Sequence, residues 1–157
     1  MEINIRIWRA SDSEKILVSW LEFCRSAARS DMRLKPDSLR VLRQWLHARL
    51  REPAAIGFVA EKDGEFVGFL IGRIDEWESS PPVLEPRKMG IIDAVYVDER
   101  FRRIGIGARL VDHAIQVMHD RNAVAIETTY EAWSDASAAL WRKAGFAPWM
   151  VHAYRTL

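Results

Sequence analysis

The part of the chain that most constrains its fold lies between residues 91 and 130, where a strand, a turn, a helix and a second strand follow one another. Ile91 to Val97 is strongly apolar apart from one acidic residue, and apolar residues recur at helical spacing after Gly107. Val124 to Tyr130 is the next predicted strand. Two strands joined by one helix lie parallel in the same sheet, with a right-handed crossover. The segment therefore predicts a βαβ unit and a partly parallel sheet.

The rest of the chain adds antiparallel strands and further helices to this unit. The first residues are apolar at alternate positions, which predicts a strand, and Asp63-Gly64 joins two apolar runs as the tight turn of a hairpin. Two amphipathic helices are predicted before the hairpin, one capped near Asp12 and one starting near Pro36. A short helix and a terminal strand over Pro148 to Leu157 complete the chain. The predicted fold class is α/β, a single domain over residues 1–157 with the order β-α-α-β-β-β-α-β-α-β.

Composition excludes several classes of protein. With 157 residues, 49% of them hydrophobic, the chain can bury one sizeable core. A net charge of +1 with scattered charges argues against a nucleic-acid binder, and the apolar runs are far shorter than the roughly 20 residues of a membrane span. Cys24 is the only cysteine, and no Cys/His cluster has the spacing of a zinc site. Since the first residues also lack the pattern of a signal peptide, we expect a cytoplasmic protein without metal, membrane or nucleic acid as partners.

The turn between strand and helix reads Arg102-Arg103-Ile104-Gly105-Ile106-Gly107. Its glycines allow a phosphate to approach the backbone, and amides at the start of the helix point at that phosphate with the positive end of the helix dipole behind them. A Gly-Lys-Ser/Thr phosphate loop and a G-x-G-x-x-G dinucleotide fingerprint do not fit, because Ala108-Arg109-Leu110 follows the second glycine. The turn predicts a pyrophosphate site of a different kind.

Two motifs resemble those of one enzyme family. Arg-x-x-Gly-x-Gly after Val-x-Val and before an amphipathic helix resembles the acyl-CoA-binding motif of the GCN5-related N-acetyltransferases, the GNAT family. Residues 134–146, SDASAALWRKAGF, are similar to the family pattern N-x-x-A-x-x-L-Y-x-x-x-G-F. They depart from it where Ser134 stands for Asn, Ser137 for Ala and Trp141 for Tyr. The predicted order of elements agrees with the family over nearly the whole chain.

The resemblance implies a sheet that splays between its fourth and fifth strands, with acetyl-CoA as the cosubstrate in the opening. Main-chain groups of Val95 and Val97 would pair with the amides of the pantetheine arm, as an added strand would. Ser134 and Trp141 would line the pantetheine or thioester end. The residues implied at the pyrophosphate are Arg102, Arg103, Gly105, Ile106, Gly107 and Ala108.

Two carboxylates are candidates for moving the proton of the acceptor amine. A thioester is attacked only by the neutral amine, and because an alkyl ammonium has a pKa of about 10, a base or a water chain must accept a proton. Asp93 is one candidate, since it interrupts an apolar strand at a place where some family members carry a catalytic carboxylate; otherwise it is partly solvated or paired with an arginine. Glu127 on the neighbouring strand is the second, and otherwise it faces solvent. Either acid could act through water.

The general acid is harder to assign. Trp141 stands where many family members have a tyrosine that protonates the leaving thiolate, and an indole N–H has no accessible acidity. Tyr154 or Tyr130 would replace that tyrosine. Otherwise the thiolate would leave without an acid, because a thiol pKa of about 8.5 makes it a fair leaving group.

The resemblance implies an N-acetyltransferase that passes acetyl from acetyl-CoA to a primary amine, of a small molecule or a peptide, by direct attack in a ternary complex. Trp77 and Trp133 lie among polar residues and are candidates for an aromatic wall beside the acceptor. Two alternatives stay open: an acyl-CoA sensor without turnover, since the tyrosine is missing, and a nucleotide-binding domain that uses the same glycine turn. The terminal strand and the hairpin edge would also allow a homodimer.

Overall fold

The computed structural model of the chain describes residues 2–29 and 31–156. Its helices and strands are β1 (Ile3–Ile7), α1 (Ser13–Ala27), α2 (Ser38–Arg51), β2 (Ala55–Lys62), β3 (Glu65–Trp77), β4 (Arg87–Val97), α3 (Ile106–Asp120), β5 (Ala125–Thr128) and α4 (Asp135–Lys143). The strands form one sheet in chain order, antiparallel from β1 to β4 and parallel between β4 and β5. The predicted α/β fold with a mixed sheet is thereby confirmed.

Helices pack on both faces of the sheet, and the alternation of side chains along each strand decides which helix a residue meets. On one face, α1 and α2 pack against Val59, Phe69 and Ile71. On the other face, a larger apolar group joins α3 to the sheet, and Trp141 of α4 belongs to it. That group includes Ile56, Phe58, Leu70, Ile74, Ile92, Leu110, Val111, Ala114 and Met118. We call the two surfaces of the sheet the α1/α2 face and the α3 face.

Strands β4 and β5 stay together over a short distance only. Their pairing extends from Met89 opposite Ala125 to Ile92 opposite Thr128, and the Thr128 hydroxyl donates to the carbonyl oxygen of Ile92 at 3.1 Å. Strand β4 continues to Val97 without β5 beside it. The predicted splay between the fourth and fifth strands is therefore confirmed, and it opens a wedge along residues 93–97 of β4.

The divergence begins at a bulge in β4. In the register with β3, Ile92 lies opposite Gly72 and Ala94 lies opposite Ile71, so that Asp93 is an extra residue without a partner on β3. A bulge bends its strand and increases the local twist. Asp93 therefore lies where β4 turns away from β5.

The terminal strand predicted over Pro148 to Leu157 is wrong. Residues 148–156, the part of it that the structure describes, contain no strand. Proline has no N–H to donate to a sheet, and side-chain contacts fasten the segment instead. The ring of Trp149 lies 5.7 Å from that of Trp77, a residue of β3 on the α1/α2 face. Of the apolar residues of this tail, Trp149 contacts Trp77, while Met150 and Val151 are exposed.

Other expectations concerned membranes, metals and the cysteine. In residues 2–29 and 31–156, no helix is long and apolar enough to cross a membrane. Within the same ranges, no group of three or more His, Cys, Asp or Glu side chains could hold a metal ion. Cys24 is a free, half-buried thiol whose pKa is raised by burial. Its thiol is therefore a poor nucleophile at neutral pH.

Candidate functional site

The open edge of β4 carries main-chain groups that no neighbouring strand pairs. The amide of Asp98 donates to the carbonyl oxygen of Val67 on β3 at 2.9 Å. In an antiparallel pair, alternate residues bond to the partner strand, so the amide and carbonyl of Tyr96 point to β3. Those of Val95 and Val97 point the other way, into the wedge left by β5. This edge can accept an extended chain with amide groups.

A turn with left-handed backbone leads from β4 into α3. Arg103 has a φ of 65° and Gly105 a φ of 89°. A Cβ on Gly105 would meet no atom within 4 Å, so it is the backbone conformation, and not crowding, that favours glycine there. A Cβ on Gly107 would make ordinary contacts of 3.6 Å with Leu140. Only the first glycine of the motif is therefore required by the fold itself.

The first amides of α3 are available to a ligand. Gly105 is the N-cap and its lack of a side chain leaves the helix start without a side-chain cap, while the first helical bond runs from the Arg109 amide to the Gly105 carbonyl at 3.1 Å. The amides of Ile106, Gly107 and Ala108 therefore have no acceptor within the helix. Three N–H groups at the positive end of a helix dipole attract an anion.

Two arginines lie beside these amides. Arg102 donates from Nε to the carbonyl oxygen of Val97 at 2.9 Å, and its Nη1 lies 3.3 Å from Oε1 of Glu99. Arg103 is exposed. The structure thus brings together the open edge of β4, the free amides of α3 and the guanidinium group of Arg102, with Arg103 exposed in the same turn.

The second motif has mainly structural contacts. The Ser134 hydroxyl accepts a hydrogen bond from the Ser137 amide at 3.3 Å, which makes Ser134 the N-cap of α4. Trp141 is 5% exposed, and its ring lies edge-on to that of Phe146 at 5.1 Å. Ser134 is thus at the start of α4, and the Trp141 indole is inside the core on the α3 face.

Asp93 is held by two arginines. Arg73 on β3 donates from Nη1 to Oδ1 of Asp93, and Nε of Arg49 on α2 lies 3.7 Å from Oδ2. All three side chains are largely buried, with that of Asp93 16% exposed. Arg49 also pairs with Glu52 at 2.6 Å. Among the residues described, Oδ2 of Asp93 and Nε of Arg49 are buried without a hydrogen-bond partner, so only Oδ1 of Asp93 accepts a hydrogen bond.

Glu127 has a different environment. Its neighbour Ile126 packs on the α3 face, so the Glu127 side chain points to the α1/α2 face. Glu127 lies opposite Ile91, which in turn lies opposite Arg73, so these three side chains form a row across the sheet. Among residues 2–29 and 31–156, the half-buried carboxylate of Glu127 forms no ion pair. It is the carboxylate beside the wedge that is not engaged by a cation.

The tyrosines lie in other surroundings. The Tyr154 hydroxyl donates to Oδ2 of Asp31 at 2.5 Å, and the Arg29 guanidinium lies 4.5 Å from its ring. The hydrogen bond to Asp31 raises the pKa of Tyr154 and lowers the pKa of Asp31 to about 2. Tyr130 follows β5 and is 38% exposed. The contacts of Tyr154 are thus with the segment that follows α1.

The sequence analysis did not identify three basic residues on the α1/α2 face. Arg49 and Arg73 pair with Asp93, and Arg87 lies 5.0 Å from the ring of Trp77 and 5.9 Å from that of Trp149. One signal was available for Arg73, which is a charged residue between Gly72 and Ile74 in an otherwise apolar strand. Nothing in the local sequence of Arg49 connects it with Asp93, because the contact joins a helix to a distant strand.

Known proteins resemble this chain in sequence. The pattern of the acetyltransferase (GNAT) family matches residues 16–146. An N-alpha-acetyltransferase of Sulfurisphaera tokodaii is 35% identical over 100 residues, 62% of this chain. That match covers 59% of the relative, so the chain spans less than two thirds of its length.

Solved structures share the fold over nearly the whole chain. An aminoglycoside 6'-N-acetyltransferase of Acinetobacter haemolyticus superposes with a TM-score of 0.75 at 19% identity, covering 98% of this chain and 97% of that one. An aminoglycoside N-acetyltransferase in complex with CoA superposes with a TM-score of 0.75 at 15% identity, covering 99% of this chain and 95% of that one. At these identities the likeness concerns the fold alone.

Proposed function

The chain belongs to the acetyltransferase (GNAT) family, and from this premise we propose that it transfers an acetyl group from acetyl-CoA to a primary amine by direct attack in a ternary complex. The observation that carries the proposal is the wedge between β4 and β5, which ends beside the free amides of α3. The pantetheine arm of acetyl-CoA, which is extended and carries amides, fits the wedge, and its diphosphate fits the free amides of α3.

We assign the donor to this wedge residue by residue. Val95 and Val97 bond to the amides of the pantetheine arm through their main-chain groups. The amides of Ile106, Gly107 and Ala108 hold the diphosphate, and their approach depends on the left-handed backbone of Gly105. The guanidinium groups of Arg102 and Arg103 add positive charge at the same place. Ser134 and Trp141 support the wall of the wedge through α4 and do not touch the donor in this proposal.

Glu127 is the proposed proton acceptor. Acetyl-CoA supplies the thioester; the amine nitrogen forms a bond to the acetyl carbon, and the bond between that carbon and sulfur breaks. The proton of the attacking nitrogen passes through water to Glu127, whose carboxylate has no cationic partner among the residues described. In this proposal Asp93 positions α2 instead, because Arg73 donates to its Oδ1 and Arg49 of α2 lies 3.7 Å from its Oδ2.

The sulfur leaves as a thiolate without a tyrosine acid in this proposal. The pKa of Tyr154 is raised by its bond to Asp31, which makes Tyr154 a weaker acid than an ordinary phenol. A thiol pKa of about 8.5 lets the thiolate leave unprotonated and take its proton from solvent. The absence of tyrosine at Trp141 is compatible with turnover for this reason.

An α-amino group is the acceptor we favour. The relative from Sulfurisphaera tokodaii is named an N-alpha-acetyltransferase. An α-amino group, with a pKa of about 7.7–8.0 against about 10.4 for a lysine side chain, is partly neutral at pH 7 and asks less of a base. Asp75 and Trp77 lie on the same face of the sheet as Glu127. Arg73 already pairs with Asp75 at 3.5 Å and Arg87 lies 5.0 Å from the ring of Trp77, so an incoming ammonium would take the place of a guanidinium group at either residue.

The direct test measures the release of free thiol from acetyl-CoA in the presence of different amines. Short peptides with a free α-amine are compared with the same peptides blocked at the N-terminus, with a polyamine and with an aminoglycoside. We expect release that depends on the free α-amine. Acetyl-CoA binding without release in any mixture would favour the sensor, and preference for ATP or NAD over acetyl-CoA would favour a nucleotide-binding domain.

A further inference from the structure

One contact of Arg102 lies where the proposed donor would bind. Its Nε donates to the carbonyl oxygen of Val97 at 2.9 Å, and its Nη1 lies 3.3 Å from Oε1 of Glu99. That carbonyl is the last acceptor on the open edge of β4, because the strand ends at Val97 and β5 has already diverged. The guanidinium thus occupies a backbone group that an added strand would use.

The neighbouring arginine is engaged differently. Arg100 pairs with Asp98 and with Glu65, both at 2.9 Å, and these contacts direct it away from the edge of β4. Arg102 is half exposed, and its Glu99 partner is almost fully exposed, so water screens that pair and the side chain can move at small cost. The Arg102 guanidinium group therefore has two alternative acceptors, the Val97 carbonyl oxygen and an anion bound beside the amides of α3.

We infer that Arg102 is a latch that makes the diphosphate of the donor a condition for opening the edge of β4. The inference rests on the proposed function. In the free protein the guanidinium covers the Val97 carbonyl. A diphosphate at the start of α3 draws the guanidinium to itself, since a charge-assisted bond to a phosphate oxygen is stronger than one to a neutral carbonyl. The carbonyl is then free for an amide of the pantetheine arm.

The latch selects among donors. A donor with the pantetheine arm and no diphosphate must compete with Arg102 for the Val97 carbonyl and gains nothing from the guanidinium. Acetyl-CoA both releases Arg102 and binds it. Arg102 thereby discriminates for acetyl-CoA and against shorter pantetheine thioesters, beyond the contribution of the phosphate contact itself.

The test uses two donors and three variants. Turnover of acetyl-CoA and of acetyl-pantetheine, which has no phosphate, is measured with one saturating amine for wild type, Arg102→Ala, Arg102→Lys and Arg100→Ala. Arg100→Ala is the matched control because it removes one guanidinium from the same turn and leaves the Val97 carbonyl covered. Thermal unfolding of each variant checks that the fold is intact.

The latch predicts opposite signs for the two donors. In Arg102→Ala, kcat/KM for acetyl-CoA falls about tenfold through KM, while kcat/KM for acetyl-pantetheine rises about threefold, as expected for the release of one hydrogen bond. Arg102→Lys keeps the cation, so it retains most of the acetyl-CoA activity and shows the same gain with acetyl-pantetheine. Arg100→Ala shows no gain with acetyl-pantetheine.

The outcomes that overturn the latch differ from those that overturn the function. If Arg102→Ala lowers kcat/KM for acetyl-CoA and leaves kcat/KM for acetyl-pantetheine unchanged or lower, there is no latch. The two lone pairs of the Val97 carbonyl oxygen then accept hydrogen bonds from Arg102 and from the pantetheine arm at the same time. An equal gain in kcat/KM for acetyl-pantetheine in Arg100→Ala would also contradict the latch, since the gain would then come from removing positive charge from the turn. If wild type neither binds nor turns over acetyl-CoA, the proposed function fails first.

Discussion

Arg73 and Asp93 form an ion pair between β3 and β4, with Nη1 of Arg73 donating to Oδ1 of Asp93 at the bulge where β4 has one residue more than β3. Arg49 of α2 approaches the same carboxylate from the other side. The pair therefore links helix α2, the bulge and the start of the wedge.

Loss of Asp93 is expected to affect stability more than catalysis. Asp93→Ala removes a carboxylate that two largely buried guanidinium groups share, while Arg49 keeps Glu52 and Arg73 keeps Asp75. The free energy of unfolding should fall by about 2 kcal/mol. We expect kcat at saturating donor and amine to change by less than about fivefold, well below the hundredfold or more of a lost general base. Urea unfolding and steady-state kinetics measure the two effects. A hundredfold loss of kcat with unchanged stability would make Asp93 the base.

Loss of the Glu127 carboxylate should have the opposite profile. Glu127→Gln should lower kcat about a hundredfold at pH 7 and leave the Kd of acetyl-CoA unchanged. The defect should narrow as the pH rises above the pKa of an α-amine, about 7.7–8.0, because the amine then loses its proton to solvent. Glu76→Gln is the control and should keep wild-type rates, because Glu76 lies on the α3 face of β3 whereas Glu127 lies on the α1/α2 face. A defect independent of pH would argue against a proton acceptor.

Gly105 and Gly145 give a matched pair of substitutions. Both have left-handed backbone, with φ of 89° and 87°, and a Cβ on either would meet no atom within 4 Å. Each change to alanine should therefore lower the free energy of unfolding by about 1–2 kcal/mol. Only Gly105→Ala should also weaken acetyl-CoA binding, by about tenfold or more, because it reorients the amides at the start of α3. Equal donor affinity in both variants would contradict the proposed diphosphate site.

Asp12 makes stability depend on pH. It is buried, accepts two bonds from Arg6 at 2.8 and 2.9 Å and one from the Arg9 amide at 2.7 Å, and the bonds from Arg6 lower its pKa. A folded-state pKa below the unfolded value of about 3.9 stabilises the fold above that value, and the stabilisation is lost as the pH falls through the folded-state pKa.

Asp12→Asn should therefore lower the free energy of unfolding at pH 7 by about 2 kcal/mol or more, with the difference from wild type shrinking below about pH 4. Denaturant unfolding between pH 2 and pH 7 measures it. Asp37→Asn removes an exposed partner of Arg40 and should have a much smaller effect. If the free energies of unfolding of wild type and Asp12→Asn still differ by the same amount at the lowest pH, the charge of Asp12 is not the cause.

Tyr154 gives a test of the leaving group. Its hydroxyl is engaged with Asp31, and its pKa is raised. We expect Tyr154→Phe to keep kcat within about twofold, since a proton donor that contributes to the rate would be worth at least a hundredfold. The pH profile of kcat should also keep its alkaline limb. A large loss below the pKa of the tyrosine, together with disappearance of the alkaline limb, would return Tyr154 to the role of general acid.

The sequence allowed the fold to be predicted where local patterns decide structure. The period of α3, the Asp63-Gly64 turn and the glycine turn after β4 are all local, and each element is where its pattern predicts it. The predicted strand Ile91 to Val97 was shorter than β4, because the polar residues Arg87 and Lys88 continue the pairing with β3 opposite Trp77 and Glu76.

The partners of the candidate site were less accessible from sequence. The contact between Arg49 and Asp93 joins residues on α2 and β4, and the tail after Pro148 depends on Trp77 and Asp31, which are far from it in sequence. No local period encodes such contacts. Sequence patterns therefore located the carboxylates, and only tertiary contacts place Asp93 beside two arginines.

The most direct measurement of the central claim is amide hydrogen exchange of the whole chain with and without saturating acetyl-CoA. The amides of Val95 and Val97 are on the open edge of β4 and those of Ile106 to Ala108 are at the start of α3, so all should exchange rapidly in the free protein. We predict that acetyl-CoA slows exchange in both segments together. Saturating acetyl-CoA that leaves both segments unchanged would contradict the wedge as the donor site.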